Sequence, residues 1–210
     1  AQLDDAVGLM LASLRELAAE RNTLVIYTSD HGDLCGGHGM LDKHYVLYDD
    51  VTRVPLIMRW PDRIKPGLRI REFVSNCLDL GVTLGDLCQL EGVRPGHGLS
   101  LAVLLDGQAQ PERDYAVFAG NGQQFGLYSQ RGIRTADWLY IWNATDIDEL
   151  YEVAADPGQK NNRIADPALA GILSQLRLRL HRELKRRDDP LTRYGWLDGQ
   201  LLENRKMTTH

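Results

Sequence analysis

Asn22-Thr-Leu-Val-Ile-Tyr-Thr-Ser-Asp-His-Gly-Asp33 is the stretch on which the fold reading turns. Leu24 to Thr28 is a short, unbroken, β-branched-rich apolar run, the pattern of a strand covered on both faces in a parallel sheet. Active sites of such sheets lie beyond the carboxyl ends of their strands, which is where Asp30 and His31 fall. The glycines that follow, Gly32, Gly36, Gly37 and Gly39, let the backbone turn sharply enough for Asp33, His38 and Lys43 to fold back toward the same point. From spacing alone, an Asp-His pair after a strand is more often a hydrogen-bonded turn than a metal site.

Working outward, Leu3, Val7, Met10, Leu14 and Leu17 recur at helical spacing, with Asp4 and Asp5 where the helix dipole favours negative charge. Val54 to Trp60 reads as a second strand stopped by Pro61. Leu80, Leu84 and Leu87 within Leu78 to Leu90 predict a helix packed on the sheet despite two glycines, and Gly92 to Gly98 a turn. This alternation predicts α/β layers to about residue 110. After Pro111, Tyr115 to Ala119, Phe125 to Arg131, Trp138 to Trp142 and Glu149 to Val153 are closely spaced strand-like pieces, as in a small antiparallel sheet. Trp138, Tyr140, Trp142 and Tyr151 alternate as packed strand residues do, and Asn121 to Phe125 is a candidate rim for a substrate mouth. Asp166-Pro167 is a helix start, and Leu169, Leu173, Leu176, Leu180 and Leu184 form the stripe that should cover this sheet. Arg182, Lys185, Arg186 and Arg187 read as a solvated helix terminus. The tail from Asp188 has no strong periodicity. The expected fold is thus α/β, with residues 1–110 in α/β layers and residues 111–210 as a small antiparallel sheet plus helix.

The 210 residues are 43% hydrophobic, enough for a substantial core. With 29 acidic and 24 basic residues the formal charge is -5, which gives no support for nucleic-acid binding. No apolar stretch approaches the ~20 residues that span a bilayer. No charged-then-apolar leader precedes the first helix, so no export signal is visible and the compartment stays open. Cys35, Cys77 and Cys88 have neither disulfide-framework nor zinc-ligand spacing and read as core thiols.

Thr28-Ser29-Asp30-His31-Gly32, Gly37-His38-Gly39, Lys43, and Tyr48-Asp49-Asp50-Val51-Thr52-Arg53-Val54-Pro55-Leu56-Ile57 follow one another in a single register. This text resembles the sulfatase family of the alkaline phosphatase superfamily, which reads approximately (T/S)SDHG, GxHG, Lys, then Y(E/D)xxxRVPLI. Ile133-Arg134-Thr135, Trp138-Leu139-Tyr140, Glu149-Leu150-Tyr151-Glu152-Val153 and Asp156-Pro157-Gly158-Gln159 resemble the family's carboxyl-terminal ending. Family members run to roughly twice this length, so the likeness is to their carboxyl-terminal portion. The aromatic-acidic pair Tyr48-Asp49 falls five and six residues after Lys43, one later than the family usually has it.

The resemblance implies that residues 1–110 are the end of an alkaline-phosphatase-like α/β catalytic domain. It implies Asp30 and His31 as ligands of a divalent metal, calcium first, with manganese or magnesium as alternatives. Lys43 would contact the sulfate ester, and His38 would donate to the leaving group or the bound ester, so both are candidate catalytic and substrate-binding residues. Arg53 is expected to be a buried guanidinium paired with Asp49 or Asp50, and His44, His97 and His181 have no partner pattern. The family's nucleophile, a formylglycine made from the Cys or Ser of a CxPxR or SxPxR segment, has no counterpart in these 210 residues. Three readings stay open. The first is a metal-dependent sulfatase acting on a small-molecule or sugar sulfate ester; the second is a phosphonate or phosphate ester hydrolase of the same superfamily. The third is a non-catalytic binding or assembly module. An incomplete α/β layer also exposes an edge and an apolar face, suited to a homo-oligomer or a complementing amino-terminal half.

Overall fold

The computed structural model describes residues 2–43, 45–93, 96–108, 113–122, 129–193 and 195–203. Its contacts divide the chain into two units, residues 1–30 with 55–112, and residues 31–54 with 113–210.

The first unit holds helix α1 (Gln2–Glu16), strand β1 (Val25–Thr28), strand β2 (Leu56–Arg59), helix α3 (Asn76–Leu87) and helix α4 (Ala102–Leu105). The expected parallel sheet is corrected. β1 pairs antiparallel with β2, Val25 opposite Arg59 and Thr28 opposite Leu56, and no residue of either strand is fully buried. Side chains tie the pair to its flanks. Arg59 pairs with Glu20, the Arg21 guanidinium straddles Asp62 at 2.8 and 2.7 Å, and Trp60 Nε1 donates to the Arg21 carbonyl at 3.1 Å. α1 forms where its periodicity predicts, yet none of its residues is buried.

α3 also forms, but its buried residues are Asp79, Thr83 and Gly85 rather than the leucines of its stripe. Asp79 accepts from the amides of Ser75 (2.7 Å) and Leu99 (2.8 Å), and Thr83 accepts from the Leu101 amide (2.9 Å). The face is polar because its partner is a stretch of backbone at 99–101 whose amides need acceptors. α3 packs on α4, and at its amino end the Asn76 side-chain amide donates to Thr28 Oγ1 of β1 at 2.5 Å.

The second unit carries helix α2 (Asp49–Thr52) and a four-stranded antiparallel meander of β3 (Tyr115–Asn121), β4 (Ser129–Thr135), β5 (Trp138–Asn143) and β6 (Glu149–Glu152), in that order. β3, β5 and β6 stand where expected; β4, expected over Phe125 to Arg131, is described from Ser129 and runs on to Thr135, and residues 123–128, with the candidate rim residue Phe125, lie outside the described residues. The Asp166 carboxylate caps the turn Pro167–Leu169 by accepting from the Ala168 amide, and helix α5 (Ala170–Arg186) continues from it. Leu176, Leu180 and Leu184 pack on Ile133, Tyr140, Trp142 and Leu150, so the helix covers the sheet and the aromatic residues are core. The short helices α2 and α4 and the last helix were not legible. Helix α6 (Trp196–Leu202) lies in the tail and adds Leu197 and Leu201 to the same core.

The sheet's charged residues are paired where they are buried. Arg131 meets Asp189 at 2.7 Å, and Arg177 meets Asp148 at 3.0 Å, with the Tyr140 hydroxyl donating to the same carboxylate at 2.8 Å. Losing one partner would strand a charge away from water, so these pairs fix register more than they add stability. The cysteines are corrected too: all three are free and exposed, because they sit in a loop and on the solvent side of α3 and its carboxyl end. Among the described residues no helix is long and apolar enough to cross a membrane.

Leu180→Ala should destabilise the chain by about 2–5 kcal/mol through the cavity it leaves, whereas Leu178→Ala, on the exposed side of α5, should change stability by no more than about 0.5 kcal/mol. Urea unfolding of both variants checks the direction of α5.

Candidate active site

The segment between β1 and β2 is a loop closed on itself. The Gly32 amide donates to the Val51 carbonyl at 2.8 Å, and a Cβ on Gly32 would lie 1.9 Å from the Asp50 carbonyl oxygen, so only glycine fits this approach. Inside the loop, Leu34 N–H donates to Asp42 O (3.0 Å), Gly36 N–H to Met40 O (2.9 Å) and Met40 N–H to Gly37 O (2.9 Å). Asp33 accepts from the Cys35 amide at 2.6 Å, and that bond holds its carboxyl below the usual range. Cys35, His38 and Asp42 adopt positive φ with Gly36 and Gly39, and this folds the chain back as the glycine spacing predicts. Leu34 is the buried apolar anchor.

This closure brings two of the predicted residues together. His31 Nδ1 lies 2.8 Å from the Gly32 carbonyl, which can only accept, so Nδ1 carries the proton and Nε2 presents its lone pair. Lys43 Nζ sits 3.0 Å from that Nε2. A positive group thus occupies the position from which an imidazole ligates a metal, and the fixed tautomer is the one ligation through Nε2 requires. Asp30 is exposed at the end of the first unit, where its carboxylate accepts from Ser29 Oγ at 3.4 Å. Among the described residues no three His, Cys, Asp or Glu side chains converge on a point, so the hard, oxygen-rich shell that calcium prefers is not complete here.

His38 makes a separate contact. Its ring stacks on Tyr48 at 3.9 Å between centroids and 6° between planes, and its Nε2 is buried with no hydrogen-bond partner among the described residues. His44 lies outside the described residues. His181, which has no partner pattern in the sequence, pairs with Asp198 at 2.6 Å between α5 and α6 and holds that carboxyl below its usual range.

The loop is anchored on the meander by residues that the motif reading passed over. Tyr48 donates to Glu149 Oε2 at 2.9 Å, where Tyr151 also donates at 2.6 Å, while Asn143 Nδ2 donates to Oε1 at 3.0 Å. Burial and the Glu149 charge push the Tyr48 hydroxyl up to about 12, so it stays a donor across neutral pH. Arg134 grips Asp49 with two bonds of 3.2 Å, and buried Gln159 accepts from the Asp49 amide at 2.9 Å. Leu47 inserts beside Gly132, where a Cβ would come within 3.2 Å of it. Arg53 is corrected. It is exposed, Asp49 being taken by Arg134 from the sheet, and Arg53 lines a cavity of about 460 Å³ with Asp49, Asp50, Val153, Ala154 and Pro157. Arg134 and Gln159 lie within the carboxyl-terminal text, but nothing in their spacing joins them to Asp49.

Comparison with known proteins places these features in a context. Residues 36–186 match the family model described as N-sulphoglucosamine sulphohydrolase, C-terminal. The chain is 32% identical over 167 residues to an N-acetylglucosamine-6-O-sulfatase of Bacteroides thetaiotaomicron, an alignment covering 76% of this chain and 30% of that protein. Among solved structures, a 2-O GAG sulfatase superposes with a TM-score of 0.81 at 30% identity, over 90% of this chain and 42% of that one. The phosphonate monoester hydrolase of Agrobacterium radiobacter superposes with a TM-score of 0.72 at 28% identity, over 86% and 39%. The chain spans roughly a third of the length of the curated relatives it matches.

Gly32→Ala should destabilise the chain by about 1–3 kcal/mol, since backbone rather than a movable side chain must give way. Gly81→Ala, in the interior of α3 with nothing within 4 Å of the new methyl, should instead stabilise by about 0.5–1 kcal/mol. Thermal or urea unfolding of the two variants separates them.

Proposed function

The chain belongs to the sulfatase family, and from that premise we propose that the protein containing it is a metal-dependent sulfuric ester hydrolase. The observation that supports the reading is the His31–Lys43 pair: an imidazole locked as the Nδ1–H tautomer, its Nε2 turned to a cation 3.0 Å away. Asp30 and His31 are the residues that would hold a divalent cation, calcium first and manganese or magnesium next. When bound, that ion supplies positive charge against the negative charge developing on the transferred sulfuryl group. Lys43, released from His31, has a compact ammonium suited to the ester's peripheral oxygens. His38 is the imidazole for the leaving oxygen.

The chain supplies no nucleophile, since neither CxPxR nor SxPxR occurs in it. A formylglycine would have to come from an amino-terminal portion such as the relatives carry. The apolar residues of and just after α1, with Leu3, Met10 and Leu17 each at least 60% exposed, support a complementing segment there. In this reading residues 1–110 close the catalytic domain and residues 111–210 are its carboxyl-terminal subdomain. The substrate is a sulfated sugar or small sulfate ester. A second reading, phosphonate or phosphate ester hydrolysis, is favoured only by the likeness to the Agrobacterium hydrolase.

The purified 210-residue chain should turn over no aryl sulfate. Joined to its amino-terminal portion it should do so, lose the activity to a chelator and regain it with calcium or manganese. Lys43→Met should then lower kcat/KM by about 10²–10³-fold, the loss typical of one removed charge-stabilising donor. Asp30-dependent hydrolysis by the chain alone would sink the reading, and faster turnover of an aryl phosphonate than of an aryl sulfate would move it to the second.

A further inference from the structure

Residue 38 adopts a left-handed conformation, φ 52° and ψ 20°, that a residue with a Cβ leaves unless something holds it. The turn about it, in which the Gly39 amide donates to Gly36 O at 3.1 Å and the Met40 amide to Gly37 O at 2.9 Å, holds its backbone in part. What meets the imidazole is the Tyr48 ring, parallel to it at 3.9 Å. Tyr48 is itself fixed at both ends. Its carbonyl accepts the Val51 and Thr52 amides at 2.9 Å each as α2 begins, and its hydroxyl is held by Glu149 at the start of β6. Glu149 in turn is held by Tyr151 and Asn143.

We propose that Tyr48 is a positioning residue for His38, its aromatic face setting the orientation of the imidazole. The inference deepens the functional reading and rests on it only for what His38 does, since the contact itself is a property of this chain. The part that matters is the aromatic face. A ring without the hydroxyl should still stack, whereas an aliphatic side chain of similar bulk should leave residue 38 free to relax out of the left-handed region.

The test is NMR of the histidine ring protons in the whole 210-residue chain, with His38 assigned by the signals lost in His38→Asn. In the unaltered chain the His38 ring protons should be shifted upfield by the Tyr48 ring current. Tyr48→Phe should keep that shift, and Tyr48→Leu should abolish it while the amide signals of β3 to β6 stay in place. Should Tyr48→Leu not fold, Tyr48→Met serves instead, and loss of the His38 shift is again the expected result. An unshifted His38 in the unaltered chain, or a shift untouched by Tyr48→Leu or by its substitute, overturns the proposal. In the complete enzyme, Tyr48→Leu and His38→Asn should each lower kcat, and the double variant should be no slower than the slower single one. Additive losses would overturn positioning through His38. A silent His38→Asn would instead remove His38 from the reaction and leave the NMR result to decide the contact.

Discussion

One backbone hydrogen bond, from the Gly32 amide to the Val51 carbonyl, closes the loop on which every candidate functional residue of the second unit sits. The approach is so close that residue 32 can carry no side chain. Once it is made, the chain between must reverse within about twenty residues, and the positive-φ positions Cys35, Gly36, His38, Gly39 and Asp42 are where it does so. His31 at one end and Lys43 near the other then meet, the Gly32 carbonyl orienting the His31 ring toward the lysine.

A closed loop is still free to move as a body, and the antiparallel sheet removes that freedom. Leu47 enters the small core of Leu139, Ile141 and Tyr151. Arg134 and Gln159 fasten Asp49, and Glu149 fastens Tyr48. Each of these is a charged or polar group with its partner supplied, which is the condition for such groups to add rigidity rather than cost. The carboxyl-terminal meander therefore does more than enclose a core. It is the frame against which the loop carrying His31, His38 and Lys43 is held, and contacts group residues 31–54 with it for that reason.

Much of this was legible in the residues. Period-two alternation located β3, β5 and β6, the Asp166-Pro167 start and leucine stripe located α5, and the ordered text from Thr28 to Ile57 carried the family. What was not legible has physical causes. The apolar run Leu24 to Thr28 says that a strand is shielded but not from which side its neighbour runs, and the neighbour proves antiparallel. α6 buries Leu197 and Leu201 one turn apart, beside Gly199 and Gln200, too little apolar period to stand out of the tail. The buried face of α3 is polar because it accepts backbone amides, which no hydrophobic pattern reveals. Proximity in sequence points Arg53 to Asp49 or Asp50, when the sheet delivers Arg134 to Asp49. Long-range polar pairs of this kind leave no local trace.

What the account requires above all is a nucleophile that these residues do not contain. Sequencing the coding DNA upstream of the Ala1 codon tests it most directly. The account predicts an in-frame CxPxR or SxPxR segment preceded by an aspartate pair able to complete the metal shell begun by Asp30 and His31. An open frame without such a segment would contradict it, and would leave the closed loop as the remnant of a site in a protein that binds rather than hydrolyses.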